Sequence, residues 1–233
     1  MEKPPKPAAD AADEVAYRGR RTLRAGAEQR RRAILEAALR LIVREGVRAV
    51  RHRAVAKEAG VPLSATTYYF RDIDELIADT FTLFVENGMA QVIDPAWVSI
   101  YQLVGQYSNE QLRDRAVRAA LAPQLANLAA DFATRELTEH RDHLLAEQAF
   151  LQAAILDPHL REPARLFRER ILAGLEQFCA RLGSTSARLD AELIHQTFLQ
   201  LEYEHLLREP GDIDRARLVE VLGHRLRLVM GVP

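Results

Sequence analysis

Between Gly60 and Phe70 the chain reads GVPLSATTYYF, small hydroxyl and methyl side chains closed by two tyrosines and a phenylalanine. Residues of these types do recognition chemistry rather than covalent chemistry. Hydroxyls hydrogen-bond without adding charge, methyls touch other methyls, and small side chains let a helix end approach a surface closely. Elsewhere the chain holds no GxSxG, no phosphate-cradling glycine loop, no CxxC pair and no HExxH, the arrangements that acyl transfer, nucleotide binding, thiol redox and zinc hydrolysis require. The expectation is a protein that is not an enzyme and needs no cofactor.

The surface that such a run would touch is indicated by charge. The 233 residues carry a formal net charge of only -1, but Met1–Gly60 holds 15 lysines and arginines against 8 acidic residues, and the remainder is acidic. One end is suited to a polyanion, although a basic segment is often only a solvated face. A hydrophobic content of 48% supports a sizeable core. No stretch of eighteen or more apolar residues appears, and MEKPPKPAAD lacks the apolar run of a secretory signal, so no membrane partner and a cytoplasmic location are expected. The single cysteine, Cys179, sits in the apolar run LEQFCARL and reads as a core residue.

The positioning elements are all helical by pattern, with no convincing period-two segment. Residues 1–26, with three early prolines and the cluster RGRRTLR, read as a flexible basic arm. Ile34, Leu35, Ala38, Leu39, Ile42 and Val43 then mark one face of a first helix ended by Gly46. A second spans about Arg51 to Ala59, Gly60 turns the chain, and a short third starts near Leu63. Asp72 caps a fourth, DIDELIADTFTLFVENG. Beyond it, helices are expected over roughly 95–107, 109–130, 135–156, 162–182, 187–208 and 213–230. The division expected is arm 1–26, a small helical domain 27–72 and a larger helical domain 73–233.

Two short helices joined by a glycine turn and braced by a third form a helix-turn-helix, whose second helix enters the major groove of double-stranded DNA. Leu63, Ser64, Ala65 and Thr66 can then reach base edges and thymine methyls, while Thr67 and Tyr68 can reach phosphates. The stretch RRAILEAALRLIVREGVRAVRHRAVAKEAGVPLSATTYYFRDIDELI resembles the TetR family of bacterial transcriptional regulators. The likeness lies in a basic first helix, AxEAGV, a small-residue recognition helix ending in aromatic-aromatic-Phe, and an acidic start to the fourth helix. It covers about Glu28 to Phe84. Carried over position by position, the resemblance places Arg51 where many members have a phosphate-binding threonine, with Arg53 beside it. Thr67 stands where a tyrosine usually contacts phosphate, leaving Tyr68 as its substitute. Ile73 replaces a common lysine, leaving Arg71 as the nearest cation.

The same resemblance implies an operator, a small-molecule effector and a homodimer built by late helices, hence a repressor released by its ligand. The apolar circumference of the segments 162–182 and 187–208 independently suggests a pairing surface, with small Ala173 and Gly174 allowing close approach. Candidates by type for a pocket are Phe84, Met89, Trp97, Tyr101, Tyr107, Phe132, Phe150 and Phe178. His140 and His143, with Glu136, Glu139 and Glu147 nearby, are expected to form a solvated helix face rather than a metal site. The competing reading is a helical carrier of a hydrophobic small molecule, with the basic end a coincidence.

Overall fold

The computed structural model describes residues 17–19 and 25–233, and among these the chain is helical with no strand. The elements are α1 (Ala25–Glu45), α2 (His52–Ala59), α3 (Leu63–Tyr69), α4 (Ile73–Gly88), α5 (Asp94–Val104), α6 (Arg115–Thr138), α7 (Arg141–Leu156), α8 (Pro158–Arg181), α9 (Ala187–Leu206) and α10 (Arg215–Met230). A π turn, Met89–Ile93, joins α4 to α5.

The first helices begin and end where the local chemistry dictates. Gly60 stops α2 with φ of 66°, its amide turned back to Ala56 and Lys57, and Val61 N–H closes a six-residue ring onto the Ala56 carbonyl at 3.0 Å. This stop needs a left-handed residue, which glycine supplies without a Cβ penalty. Asp72 caps α4 by accepting from Glu75 N at 2.8 Å, and Glu75 returns a carboxylate oxygen to Arg71 N at 2.5 Å. That amide holds the Asp72 carboxyl below its usual range, with Arg71 adding a smaller effect. The reciprocal bonds satisfy helix-end donors that would otherwise be orphaned.

The chain divides into two compact units. One comprises Asp13–Ala90 and Asp142–Phe167; within it α1 packs on α2 and α4, and α2 on α3. Ile34, Leu35, Ala38, Ile42, Val55, Phe70 and Leu76 are buried there. Its α7 and α8 residues contribute Phe150 and Phe167 to an aromatic cluster with Phe81 and Phe84, ring centroids 4.8–6.3 Å apart. Fully burying each such ring contributes about 1.5–3 kcal/mol. The second unit comprises Gln91–Arg141 and Arg168–Pro233, where α6 packs chiefly on α10 and both meet α9. Trp97, Leu121, Leu125, Leu172, Phe178, Cys179, Leu226 and Met230 lie in its core. Burial pushes the Cys179 thiol up to about 12, so it stays protonated and inert.

Several helix boundaries differ from the sequence reading; the helix expected from Asn109 starts only at Arg115, after a 3-10 turn at Gln111–Arg113. The break expected between 130 and 135 lies instead at Glu139 and His140, and α6 runs unbroken to Thr138. The helix expected from Glu162 starts a turn earlier, at Pro158. Asp157 accepts there from His159 N at 2.8 Å, and Pro158 occupies the first helical position, where no amide is needed.

Candidate nucleic-acid interface

The residues of α3 and its C-terminal cap Phe70 form two faces, with Ala65 between them. Thr66, Tyr69 and Phe70 point inward, with exposures of 0%, 5% and 0%. Leu63, Ser64, Thr67 and Tyr68 point to solvent, and Ala65 is half-buried between the faces. Thr66 is therefore not a base-contacting residue: its hydroxyl donates to the Leu63 carbonyl at 2.8 Å and its methyl is spent in the core. Thr67 also donates to its own helix, to Ser64 O at 3.3 Å, but from the exposed side. Tyr68 stands edge-on to Tyr69, centroids 5.1 Å apart, so a buried ring braces an exposed one.

The candidate cations flank this face. Arg51 precedes α2 in extended conformation and makes no side-chain cap; its guanidinium donates to Val50 O at 2.7 Å. Arg53 is exposed on the first turn of α2. Arg71 is 82% exposed and pairs with Asp72 at 3.2 Å, an arrangement that leaves most of its fork in water. Behind the face, Glu58 accepts from Arg40 and Arg44 of α1 at 3.0 and 3.2 Å, with Arg40 the larger cause of its lowered carboxyl pKa. This ties the positioning helix α2 to α1.

The structure also shows an anchor that the sequence reading missed. Asp79, on α4 and fully buried, accepts from Arg31 of α1 at 2.6 Å, from Arg18 N at 2.6 Å and from Gly19 N at 2.9 Å. The Arg31 guanidinium lies over the Tyr17 ring, 4.4 Å from its centroid, and Tyr17 donates its hydroxyl to Glu86. A Cβ on Gly19 would stand 2.7 Å from the Asp79 carboxylate and 3.0 Å from the Phe70 ring, so only glycine lets the strap lie this close. The expectation of a flexible arm through residue 26 is thus corrected for Tyr17–Gly19, and Ala25 and Gly26 already belong to α1. The other residues of the arm, including Arg20, Arg21 and Arg24, lie outside the described residues. A signal was available: Arg31 falls in phase with Ile34, Leu35 and Ala38, and Asp79 interrupts the apolar run LIADTFTLF.

The eight pocket candidates do not surround one space. Phe84 and Phe150 are at 0% exposure inside the aromatic cluster, where His143 stacks on Phe84 with ring centroids 4.3 Å apart. Met89 is buried in the same unit. Trp97 packs between Tyr101 and Phe178 at 5.7 and 6.0 Å, Tyr107 is half-buried against that core, and Phe132 meets Phe198 edge-on. Tyr101 alone of the eight lines a cavity of about 410 Å³ at the C-terminal ends of α5 and α8. Gly174 packs within its own chain, the Trp97 ring lying 3.0 Å from where its Cβ would be. Glu136 and Glu147 are buried rather than solvated. Burial pushes the Glu147 carboxyl up to about 7.

A glycine-turned helix pair with a small-residue outer face, braced by a first helix with one buried face, is a helix-turn-helix arrangement, here followed by a larger helical unit. A sequence model described as bacterial regulatory proteins, tetR family, matches residues 34–80. The HTH-type transcriptional regulator PksA of Bacillus subtilis (strain 168) is 39% identical over 69 residues, which are 30% of this chain and only 34% of PksA. A TetR-family structure from Streptomyces coelicolor A3 superposes with a TM-score of 0.59 at 26% identity, over 84% of this chain and 98% of that one. The multidrug binding protein EbrR, complexed with malachite green, gives the same four values. Residues 34–80 thus match the TetR-family model, and the chain is similar to TetR-family structures over most of its length.

Proposed function

We propose that the chain is a sequence-specific transcriptional regulator that binds a near-palindromic operator as a homodimer and is released from it by a small molecule, in the manner of a repressor. The carrying observation is the two-faced α3. Its inner face is fixed by Thr66, Tyr69 and Phe70, so Leu63, Ser64, Thr67 and Tyr68 are presented on a rigid support. The half-buried Ala65 and the cations Arg51, Arg53 and Arg71 complete the proposed DNA surface.

Selection of DNA fragments by the purified protein tests this reading, since a mere carrier of hydrophobic molecules would select no sequence. On the selected site, Tyr68→Phe should weaken binding by roughly 10–150-fold on every variant sequence, the effect of about 1.5–3 kcal/mol for one hydrogen bond to a charged phosphate. Ser64→Ala should instead change which base is preferred. A changed preference in Tyr68→Phe with intact affinity would reverse the two roles.

Pairing is best supported on α9. Leu189, Leu193, Gln196, Gln200, Tyr203 and Leu207 are all exposed, and their alternating spacing of four and three residues is that of a helix seam. The stripe of α8, in contrast, is spent inside its own subunit at Leu172, Phe178 and Leu182. The homodimer expected from 162–182 and 187–208 is therefore proposed through α9, with the exposed Leu228 of α10 nearby in sequence to the chain end. Leu193→Glu should convert the protein to a monomer in sedimentation at micromolar concentration while leaving its helical spectrum intact. A dimer of unchanged affinity would remove α9 from the interface.

Ligand response is supported by EbrR, whose solved complexes include proflavin, malachite green and ethidium. In this chain the helical unit 91–141 with 168–233 is proposed as the responsive part. Helix α4, which carries the cap at Asp72 and the anchor at Asp79, continues through the π turn into that unit and is the proposed route of coupling.

A further inference from the structure

We propose that the cavity at the C-terminal ends of α5 and α8 receives a small organic anion, its carboxylate or phosphate held by Arg113 and Arg181 and its apolar body laid against Tyr101 and Leu112. The proposal deepens the ligand-responsive reading and rests on it for the consequence of binding. The cavity is about 410 Å³, within the range of small-molecule sites.

The wall residues define the charge of the guest. Arg113, Gln177 and Arg181 line the cavity and no carboxylate does. Among the described residues neither Arg113 nor Arg181 forms an ion pair. The Nε of Arg181 is buried without a hydrogen-bond partner, and one terminal nitrogen reaches only the Tyr107 carbonyl at 3.5 Å. A guanidinium with unused donors beside a half-open cavity is matched in geometry and charge by a planar or tetrahedral oxyanion.

Helix C-termini ordinarily repel anions, but here the carbonyl ends are already engaged. Arg118 takes the Leu112 and Arg113 carbonyls at 2.9 and 2.7 Å and the Met230 carbonyl at 2.8 Å. At the end of α8, Gly183 turns left-handed at φ of 87° and Ser184 N closes onto Cys179 O at 3.0 Å. The nearby carboxylate of Asp190 is occupied by the Ser184 hydroxyl at 2.5 Å. Three arginines thus surround the cavity end, one of them committed to backbone. The lining also holds one aromatic ring: Tyr101 packs at a tilt on Trp97, which is seated against Gly174 of α8. A guest that is anionic at one end and flat or apolar at the other fits this lining, whereas a cationic dye would meet two arginines.

The test uses the full chain and three isosteric probes in calorimetric titration: 2-naphthoate, neutral 2-naphthamide and 2-naphthyl phosphate, with ethidium as cationic competitor. At least one anion is expected to bind tenfold or more tightly than the amide, and the stronger of the two identifies the headgroup. Arg113→Gln and Arg181→Gln should each abolish that preference, Arg181→Lys should restore part of it, and ethidium should not compete. Arg113 is exposed, so its variant keeps the test open if Arg181→Gln fails to fold, which the melting temperature reports. Equal binding of anion and amide, unchanged anion affinity in both glutamine variants, displacement by ethidium, or no anion binding up to millimolar concentration would each overturn the site. Operator binding without any probe is measured separately. Its failure would count against the regulator reading and leave the anion site standing.

Discussion

Asp79→Ala is expected to lower the stability of the protein by about 3–5 kcal/mol, the usual cost of removing one partner from a buried ion pair. Arg31 would be left charged at 2% exposure, its buried partner gone and only the half-exposed Glu28 carboxylate remaining at 3.2 Å. The Arg18 and Gly19 amides would lose their acceptor at the same time. Two readouts separate these effects. Urea unfolding reports the total loss, and amide hydrogen exchange at residues 18 and 19 reports whether the strap has lifted. The double variant Arg31→Met with Asp79→Leu should lose less than Asp79→Ala, because no charge then remains buried. A double variant as unstable as the sum of its single changes would mean that the pair is not coupled. The same geometry changes what an N-terminal truncation means: removing residues 1–25 would strip Asp79 of two donors, whereas stopping before Tyr17 would not.

Stability should also fall as pH rises through the neutral range, because of Glu147. Its carboxyl titrates near 7 in the folded chain, pushed up by burial from the ordinary glutamate value of 4.5. Between those values the native state holds a proton that the unfolded state has released, so this contribution is complete below about pH 4.5 and lost above about pH 7. A shift of this size corresponds to a change on the order of 3 kcal/mol at about 1.4 kcal/mol per pH unit. Glu147→Gln keeps the neutral, hydrogen-bonding form at every pH. The variant should match the parent near pH 5 and exceed it by that amount at pH 8. Parallel curves for the two proteins would show that the carboxyl is ionised in the fold.

The N-terminal elements were legible because their signals are local. Gly46 and Gly60 end helices, Asp72 caps one, and the small side chains of LSATT mark a helix that must approach something. The faces of α3 were less legible. In seven residues there is too little periodicity to tell Thr66 from Thr67, and only the packing of Tyr69 and Phe70 fixes the rotation. Asp79 and Arg31 lie 48 residues apart, a pairing no spacing rule can find, though each stands out as a charge on an apolar face. The turn at Glu139 and His140 carries neither glycine nor proline, and ELTEHRD suits a helix face as well as a helix end. Aromatic type alone could not separate core from pocket, because Phe84 and Phe150 fill one another's space. The arginines that line the cavity drew no notice because charge on a helix surface is commonplace.

The α9 seam has an implication for which chains can join which. Gln196 lies one heptad from each of Leu189 and Tyr203. In a two-fold pairing centred there, it would face its own copy. A primary amide carries both a donor and an acceptor, so two identical glutamines satisfy each other, whereas two glutamates or two lysines would repel. A homologous chain with a charge at that level would bury it against an amide that cannot neutralise it, a penalty paid only by the mixed pair. In a cell holding many regulators of this shape, the seam would sort like with like, and each operator would be read by two copies of a single sequence.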